Sequence, residues 1–189
     1  MNTETLILIL IALAILIVAG LVAWMAIRWT RSRKLREKFG PEYDYTMEKV
    51  GDRRTAEETL AEREKRVNKL DIRDLDPHER DRYHTEWSEI QAEFVDEPTK
   101  SVESANRLIT EVMIARGFPV ADFEQRAADI SVLYPNLVPN YRNAYAIAVK
   151  SQNNGTSTED LRQAMVYYRS LFEELLGTVE TKEKEVTAQ

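Results

Sequence analysis

Two histidines are the residues whose chemistry is most easily judged from spacing. His78 and His84 lie six positions apart in a segment of helical periodicity, so on one helix they point in different directions and cannot share a metal ion. Asp81 and His84 have the i, i+3 spacing of half a di-iron site, but such a site needs a second pair and further glutamates from other helices. The chain has no third histidine and no cysteine. We therefore predict surface histidines, no metal site and no cofactor.

Three carboxylates, Glu86, Glu89 and Glu93, follow on one flank of the same segment. Carboxylates act as general acids or bases when burial or mutual repulsion raises a pKa, whereas on an exposed flank they are solvated charges. The loop "NNGTST" has one glycine and no lysine, so it does not match a phosphate-binding loop. These features favour a non-catalytic protein. A membrane-associated enzyme that uses carboxylates buried between helices stays open as the alternative.

Tyrosines late in the chain are the other candidate site. At helical spacing such residues usually belong to a core, with the hydroxyl at its rim, but they can also line a groove for a partner helix or peptide. We predict core packing and keep a protein-partner groove as the alternative. Its candidate residues are Tyr141, Tyr145, Tyr167 and Tyr168.

The elements that position these residues are predicted to be helices, because apolar residues recur at helical spacing and no segment alternates with period two. Asp76-Pro77 with Glu79, Asp122 with Gln125, and Ser157 with Asp160 are typical helix starts. Gly117 is typical of a helix end. The sequence therefore predicts an all-α protein, with about five amphipathic helices forming a bundle domain over residues 76–177. The polar tail, residues 178–189, is predicted to be disordered.

A charged segment, "GDRRTAEETLAEREKRVNKL", precedes that domain. Its apolar stripe is narrow, consisting of Ala56, Leu60, Val67 and Leu70, and Glu62 with Arg66 has the spacing of a helical ion pair. The stripe spans too few heptads for a coiled coil. We predict a solvated helical stalk within a linking region, residues 28–75.

The N-terminal region, residues 1–27, contains an uninterrupted apolar run from Leu6 to Ile27. A helix of this run is about 33 Å long, slightly more than the ~30 Å hydrocarbon core of a bilayer. A secretory signal is less consistent with the run, because "MNTET" carries no cation and a signal's apolar region is only about 7–15 residues long. We predict a transmembrane anchor, although small residues such as Ala19 leave cleavage open. Export of the same helical body outside the cell therefore stays open as a further alternative.

A dense group of cations follows the run directly, opposed only by Glu37. Cations next to a membrane helix are retained on the cytoplasmic side. We therefore predict that the N-terminus is outside and the C-terminal domain cytoplasmic, with the lipid bilayer as a partner. The simpler interpretation is that these cations only fix the orientation of the helix in the membrane. Specific recognition of lipids is the less favoured interpretation. The predicted interface residues are Trp24, Trp29, Arg28, Arg31, Arg33, Lys34, Arg36 and Lys38.

The rest of the chain is acidic. Residues 39–189 contain 20 lysines and arginines against 30 aspartates and glutamates. The phosphate backbone of nucleic acids repels an acidic surface, so we expect no nucleic-acid binding. An anionic membrane leaflet repels it for the same reason. An unidentified protein partner fits this charge better, and the sequence leaves the oligomeric state open.

Several stretches resemble a family of uncharacterised bacterial proteins, often described only as secreted or hypothetical. They are "REKFGPEYD", "AEREKRVNKLDIR", "FEQRAADISVLYP", "NYRNAYAIA" and "STEDLRQAMVYYRSLFEELL". The family pairs one apolar N-terminal helix with an acidic helical domain, and the resemblance covers nearly the whole chain. It implies an envelope-associated bacterial protein and no particular activity. It also implies histidine in relatives at the positions of Tyr134 and Tyr145, which argues against a histidine-based site here.

Overall fold

The described part of the chain is entirely α-helical. The computed structural model describes residues 3–152 and 155–177, and of residues 3–12, 14 and 27 it describes the backbone alone. No strand occurs in these ranges, so the predicted all-α class is confirmed. The helices are α1 (Thr3–Phe39), α2 (Pro41–Val50), α3 (Arg53–Val67), α4 (Pro77–Glu93), α5 (Pro98–Ala115), α6 (Phe123–Leu133), α7 (Val138–Ser151) and α8 (Thr158–Leu176).

The chain divides into two compact units, unit 1 (Met1–Leu60) and unit 2 (Ala61–Gln189), and the division falls within α3. The predicted boundaries after residues 27 and 75 remain predictions. The predicted disordered tail, residues 178–189, lies outside the described residues.

Unit 1 contains a helix that the sequence analysis did not identify. α1 ends at Phe39, Gly40 takes a positive φ of 47°, and Pro41 starts α2. A positive φ suits glycine, and proline is favoured in the first turn of a helix, so the pair Gly40-Pro41 turns the chain and restarts the helix at once. α1 then packs against α2.

A small core fills unit 1. It includes positions predicted to lie on a solvated stalk: Ala56 and Leu60 are fully buried. That prediction was wrong at these positions because the narrow apolar stripe of α3 has partners on the preceding helices, which periodicity within α3 alone does not reveal. The buried apolar side chains of unit 1 are Leu35, Phe39, Tyr43, Ala56 and Leu60.

In unit 2 the predicted helix starts are confirmed. Asp76 and Glu79 form a reciprocal capping box at α4, and Ser157 and Asp160 form one at α8. Asp122 accepts a hydrogen bond from the Gln125 backbone N–H at α6. Each cap satisfies backbone donors that the first helical turn leaves unpaired, which is why these residue types begin the helices.

Gly117 ends the turn after α5, as predicted. Its φ is +99°, and a β-carbon there would meet the Asp71 carbonyl group, whose carbon would lie only 3.2 Å away. Phe118 N–H bonds back to Met113 C=O at 3.0 Å, which closes the helix end. Both the backbone angle and the close approach require glycine.

The core of unit 2 lies between α4, α5, α7 and α8, with α6 against α7. Trp87 of α4 and Phe172 of α8 stack at its centre, with ring centroids 4.8 Å apart. Fully buried members include Val102, Ala105, Ile109, Val112, Ala127, Ile130, Val138, Tyr141, Ala144, Ala164, Tyr168 and Leu171. The apolar faces read from the sequence supply most of these residues.

Two arginines connect distant segments of unit 2. Arg66 donates to the buried Asp129 carboxylate through Nε at 3.0 Å and Nη2 at 2.6 Å, so its partner is not Glu62 as predicted. Arg116 is buried and donates to Arg73 C=O, to Tyr134 OH at 2.7 Å and to Leu175 C=O at 3.0 Å. These bonds join α3 to α6, and the end of α5 to the end of α8.

Candidate membrane-interface site

The apolar side chains described in α1 before Arg28 are exposed. Within the described residues, the segment Ile15–Phe39 is the one helical stretch long and apolar enough to cross a membrane, judged by length and composition. The large aliphatic side chains described in α1 before Arg28 are each more than half exposed: Leu13, Ile15, Leu16, Ile17, Val18, Leu21, Val22 and Met25. The first part of the predicted span, residues 6–12, lies outside the described side chains.

The cationic end of α1 has two faces, which the sequence analysis treated as one. Ser32, Leu35 and Phe39, at i, i+3 and i+7, are buried in unit 1. The predicted interface cations lie on the remaining surface and are all exposed. A helix with one buried face holds its exposed side chains at defined angles, so these cations form an oriented surface.

Both predicted interface tryptophans are exposed on α1. Trp24 is 57% exposed and lies under the Arg28 guanidinium, which is 5.4 Å from the ring centroid. Trp29 is 66% exposed. An exposed indole at the end of an apolar helix is typical of the boundary between lipid and water.

A buried carboxylate organises the helices of unit 1 beside these cations. Glu57 Oε1 accepts hydrogen bonds from Ser32 Oγ at 2.5 Å, from Tyr43 OH at 2.9 Å and from Arg53 Nε at 2.9 Å. Arg53 Nη2 also donates to Ser32 Oγ. One oxygen thereby joins α1, α2 and α3. Burial raises the pKa of Glu57, but the hydrogen bonds from Ser32, Arg53 and Tyr43 outweigh it, so the net pKa is lowered.

The sequence analysis missed this network. Arg53 and Glu57 are an ordinary i, i+4 pair on a charged helix, and nothing nearby distinguishes Glu57 from its neighbour Glu58. The one available signal was the spacing of Ser32, Leu35 and Phe39, which marks a buried face inside the cationic segment.

The candidate tyrosine groove is not assembled as a surface. Tyr141 and Tyr168 are fully buried, so they offer no accessible area to a partner. Tyr145 is half-buried and stacks on Phe123, with ring centroids 3.6 Å apart, and Tyr167 is half-buried against the core. Core packing therefore accounts for these residues, as the sequence analysis favoured, and two of the four groove candidates are excluded by burial.

The carboxylates of α4 line an open groove against α5. Glu86, Glu89 and Glu93 face Glu111 across a volume of about 530 Å³, which Arg107 also lines. Lys100 pairs with Glu93 at 2.6 Å. Within the described residues no group of three or more histidine or acidic side chains is arranged to hold a metal ion. His78 and His84 are both exposed.

Comparison with known proteins yields no relative. The chain matches no protein-family model, and no curated protein or solved structure is significantly similar to it.

Proposed function

We propose that the protein is a single-pass membrane protein whose N-terminus lies outside and whose helical part is a non-catalytic, cytoplasmic interaction module. Residues 6–27 span the bilayer, and the cations after them keep the C-terminal part inside. The resemblance noted in the sequence assigns it to the bacterial plasma membrane. In this proposal α4 to α8 form the bundle that meets an unidentified protein partner.

The observation that carries the proposal is the exposure of eight aliphatic side chains on α1. Leaving them in water costs on the order of 10 kcal/mol. That cost is comparable with the whole net stability of a typical domain, about 5–15 kcal/mol. Insertion of the helix into lipid removes this free-energy cost, whereas exposure of the same surface to water does not.

The architecture of unit 1 supports a tether. The cationic end of α1 is held to α2 and α3 through Glu57, so the membrane helix continues directly into folded structure. A tether raises the effective concentration of the module near the bilayer, so that weak contacts with a partner suffice. The open α4–α5 groove supports a non-catalytic role, because its carboxylates are half or fully exposed, and solvated carboxylates are poorly suited to acid–base catalysis.

Accessibility of single cysteines tests the proposal. The chain has no native cysteine, so Thr3→Cys and Ser88→Cys each give a single reporter, at the start of α1 and on the exposed face of α4. A membrane-impermeant maleimide should label Thr3→Cys in intact cells and label Ser88→Cys only after lysis.

The alternatives give different labelling patterns. Labelling of Ser88→Cys in intact cells would mean that the helical part is outside, as in an exported protein. Recovery of the full chain in the soluble fraction after alkaline carbonate extraction would exclude the anchor altogether. Crosslinking from Ser88→Cys in native membranes then identifies the partner.

A further inference from the structure

A cavity of about 390 Å³ lies in unit 1 beside the cationic end of α1. Its volume is within the range of small-molecule sites, about 300–1,000 Å³. Three guanidinium groups and one carboxylate line it, and Glu37 and Glu57, which do not line the cavity, pair with two of those guanidinium groups. The lining residues that matter here are Trp29, Arg33, Arg36, Tyr43, Asp44 and Arg53.

All three guanidinium groups are held in place by other residues of unit 1. Arg53 is oriented by Glu57 and Ser32, as described above. Arg36 Nη2 donates to Asp44 Oδ1 at 3.2 Å, and its guanidinium carbon lies 5.8 Å from the Tyr43 ring centroid. Arg33 Nε donates to Glu37 at 2.8 Å. A guanidinium has five N–H donors, so each arginine keeps donors for a further acceptor.

The geometry favours an oxyanion with several acceptor oxygens. Arginine binds phosphate through paired N–H groups, and a site that is already ordered loses little entropy when it binds. The side chains of Arg33, Arg36 and Arg53 are all more than half exposed, so an anion can reach them.

The position along α1 indicates where that phosphate comes from. At ~1.5 Å per residue, Arg33 and Arg36 lie about 9 and 14 Å beyond Ile27, the end of the apolar run. Side chains on a helix tilt toward its N-terminus, which here means back toward the bilayer. Trp29, Arg33 and Arg36 share one face at i, i+4 and i+7 spacing, with the exposed indole on the lipid side.

We propose that this cavity binds the phosphate group of an anionic phospholipid in the cytoplasmic leaflet. The inference rests on the proposed membrane anchor. Two of the phosphate oxygens accept from Arg36 and Arg53, Arg33 covers the exposed side, and Trp29 contacts the first part of the acyl chains. The three guanidinium groups that line the cavity disfavour choline and ethanolamine headgroups, which bring a cation of their own.

Native mass spectrometry of the full chain released from detergent tests the site. The titrants are dioleoyl phosphatidylglycerol and dioleoyl phosphatidylcholine, and inorganic phosphate is added as a competitor. We expect one phosphatidylglycerol per chain to bind at least tenfold more tightly than phosphatidylcholine. By mass action, a roughly 100-fold excess of inorganic phosphate would displace nearly all of a lipid that bound with equal affinity, and here it should leave the lipid in place. Displacement by inorganic phosphate would overturn the lipid assignment in favour of a soluble anion.

Matched double substitutions test the residues. Arg33→Gln/Arg36→Gln should weaken the first phosphatidylglycerol site at least tenfold, roughly the loss of one charge-assisted contact. Lys34→Gln/Lys38→Gln removes the same charge at similar depth but from side chains that do not line the cavity, and should weaken it less than threefold. Arg33→Lys/Arg36→Lys keeps the charge but loses the paired N–H geometry. Its loss of phosphatidylglycerol affinity should lie between the losses of the two glutamine doubles. Equal losses in the two glutamine doubles would mean that net charge alone attracts lipid, and would overturn the proposal.

Failure of this inference is separable from failure of the anchor. Carbonate extraction of the same variants reports membrane integration, which the cavity substitutions should not change. An integral protein with no phosphatidylglycerol preference contradicts the lipid site alone. A protein that is not integral contradicts the proposed function first.

Discussion

Unit 1 and unit 2 hold their helices together by different means. In unit 1 three helices meet at one buried carboxylate, Glu57, with a few apolar side chains around it. In unit 2 the buried apolar side chains of α4 to α8 form one cluster, which includes the stacked rings of Trp87 and Phe172, and Arg66 pairs with the buried Asp129.

The comparison distinguishes the interactions that orient helices from the interactions that stabilise a fold. Hydrogen bonds to one carboxylate oxygen are directional, so they define how α1, α2 and α3 meet. Apolar burial is non-directional and contributes the larger free energy. Unit 1 is therefore suited to holding arginines at defined positions, whereas unit 2 is suited to being a stable body.

Removing the centre of the unit 2 core is expected to have the largest effect. Phe172→Ala should lower the free energy of unfolding of unit 2 by about 3–5 kcal/mol, because it deletes a buried ring and leaves a cavity beside Trp87. Urea titration of the detergent-solubilised full chain, followed by hydrogen–deuterium exchange in α4, α5 and α8, measures this. Val166→Ala on the exposed face of α8 is the control and should change little. Equal loss of protection in α2 would contradict the division into two units.

Two adjacent glutamates test the importance of the buried carboxylate in unit 1. Glu57 and Glu58 pair with the arginines four residues before them at 2.9 and 3.0 Å, but Glu58 is exposed. Glu57→Ala should destabilise α2 and α3 by about 2 kcal/mol, because buried donors lose their acceptor. Glu58→Ala should cost about 0.5 kcal/mol or less. Amide exchange in α2 measures both. Similar values for the two would mean that Glu57 does not organise the unit.

Acid should weaken the start of α4 in unit 2. Arg73 and the Asp76 backbone N–H lower the pKa of Glu79 from about 4.5 to about 2. A lowered pKa means that the ionised contact stabilises the fold above about pH 4.5 and is lost as the pH falls from there to about 2. Glu79→Gln should make the stability of α4 depend less on pH in this range. Amide exchange in α4, measured as the pH is lowered, follows this stability. An unchanged curve would contradict the assignment.

Deleting one buried hydroxyl should have the smallest effect. Within the described residues the Tyr168 hydroxyl is buried without a hydrogen-bond partner, whereas Tyr141 OH accepts from Arg126 Nε at 3.3 Å. Tyr168→Phe should leave the stability of unit 2 within about 0.5 kcal/mol or raise it, and Tyr141→Phe should lower it by about 0.5–1 kcal/mol. Urea midpoints of the two variants measure the contrast. A clear loss in Tyr168→Phe would indicate a bound water at its hydroxyl.

Local patterns predicted most of unit 2. Capping residues such as Asp76 and Ser157, the glycine at 117 and the apolar faces of the helices all act within a few residues of chain, so the sequence displays them. α2 escaped prediction because "PEYDYTMEKV" is short and mostly polar, and its buried Tyr43 and Thr46 face other helices of unit 1.

Long-range partners escaped prediction for a physical reason. Arg66 has a plausible partner four residues away in Glu62, yet it bonds to Asp129, 63 positions along the chain. An exposed i, i+4 pair contributes only a few tenths of a kcal/mol, so it cannot compete with a buried carboxylate that needs a donor.

By itself, the sequence determined the helical class, most of the helix ends and the position of a long apolar segment before a group of cations. These depend on local propensity and on the composition of short windows. Only the tertiary structure decided which face of the cationic segment is buried, that Glu57 rather than Glu58 joins three helices, and that Tyr141 and Tyr168 are core residues. Each of those outcomes depends on which surfaces meet when the chain folds, because burial is a property of neighbours rather than of the residue itself.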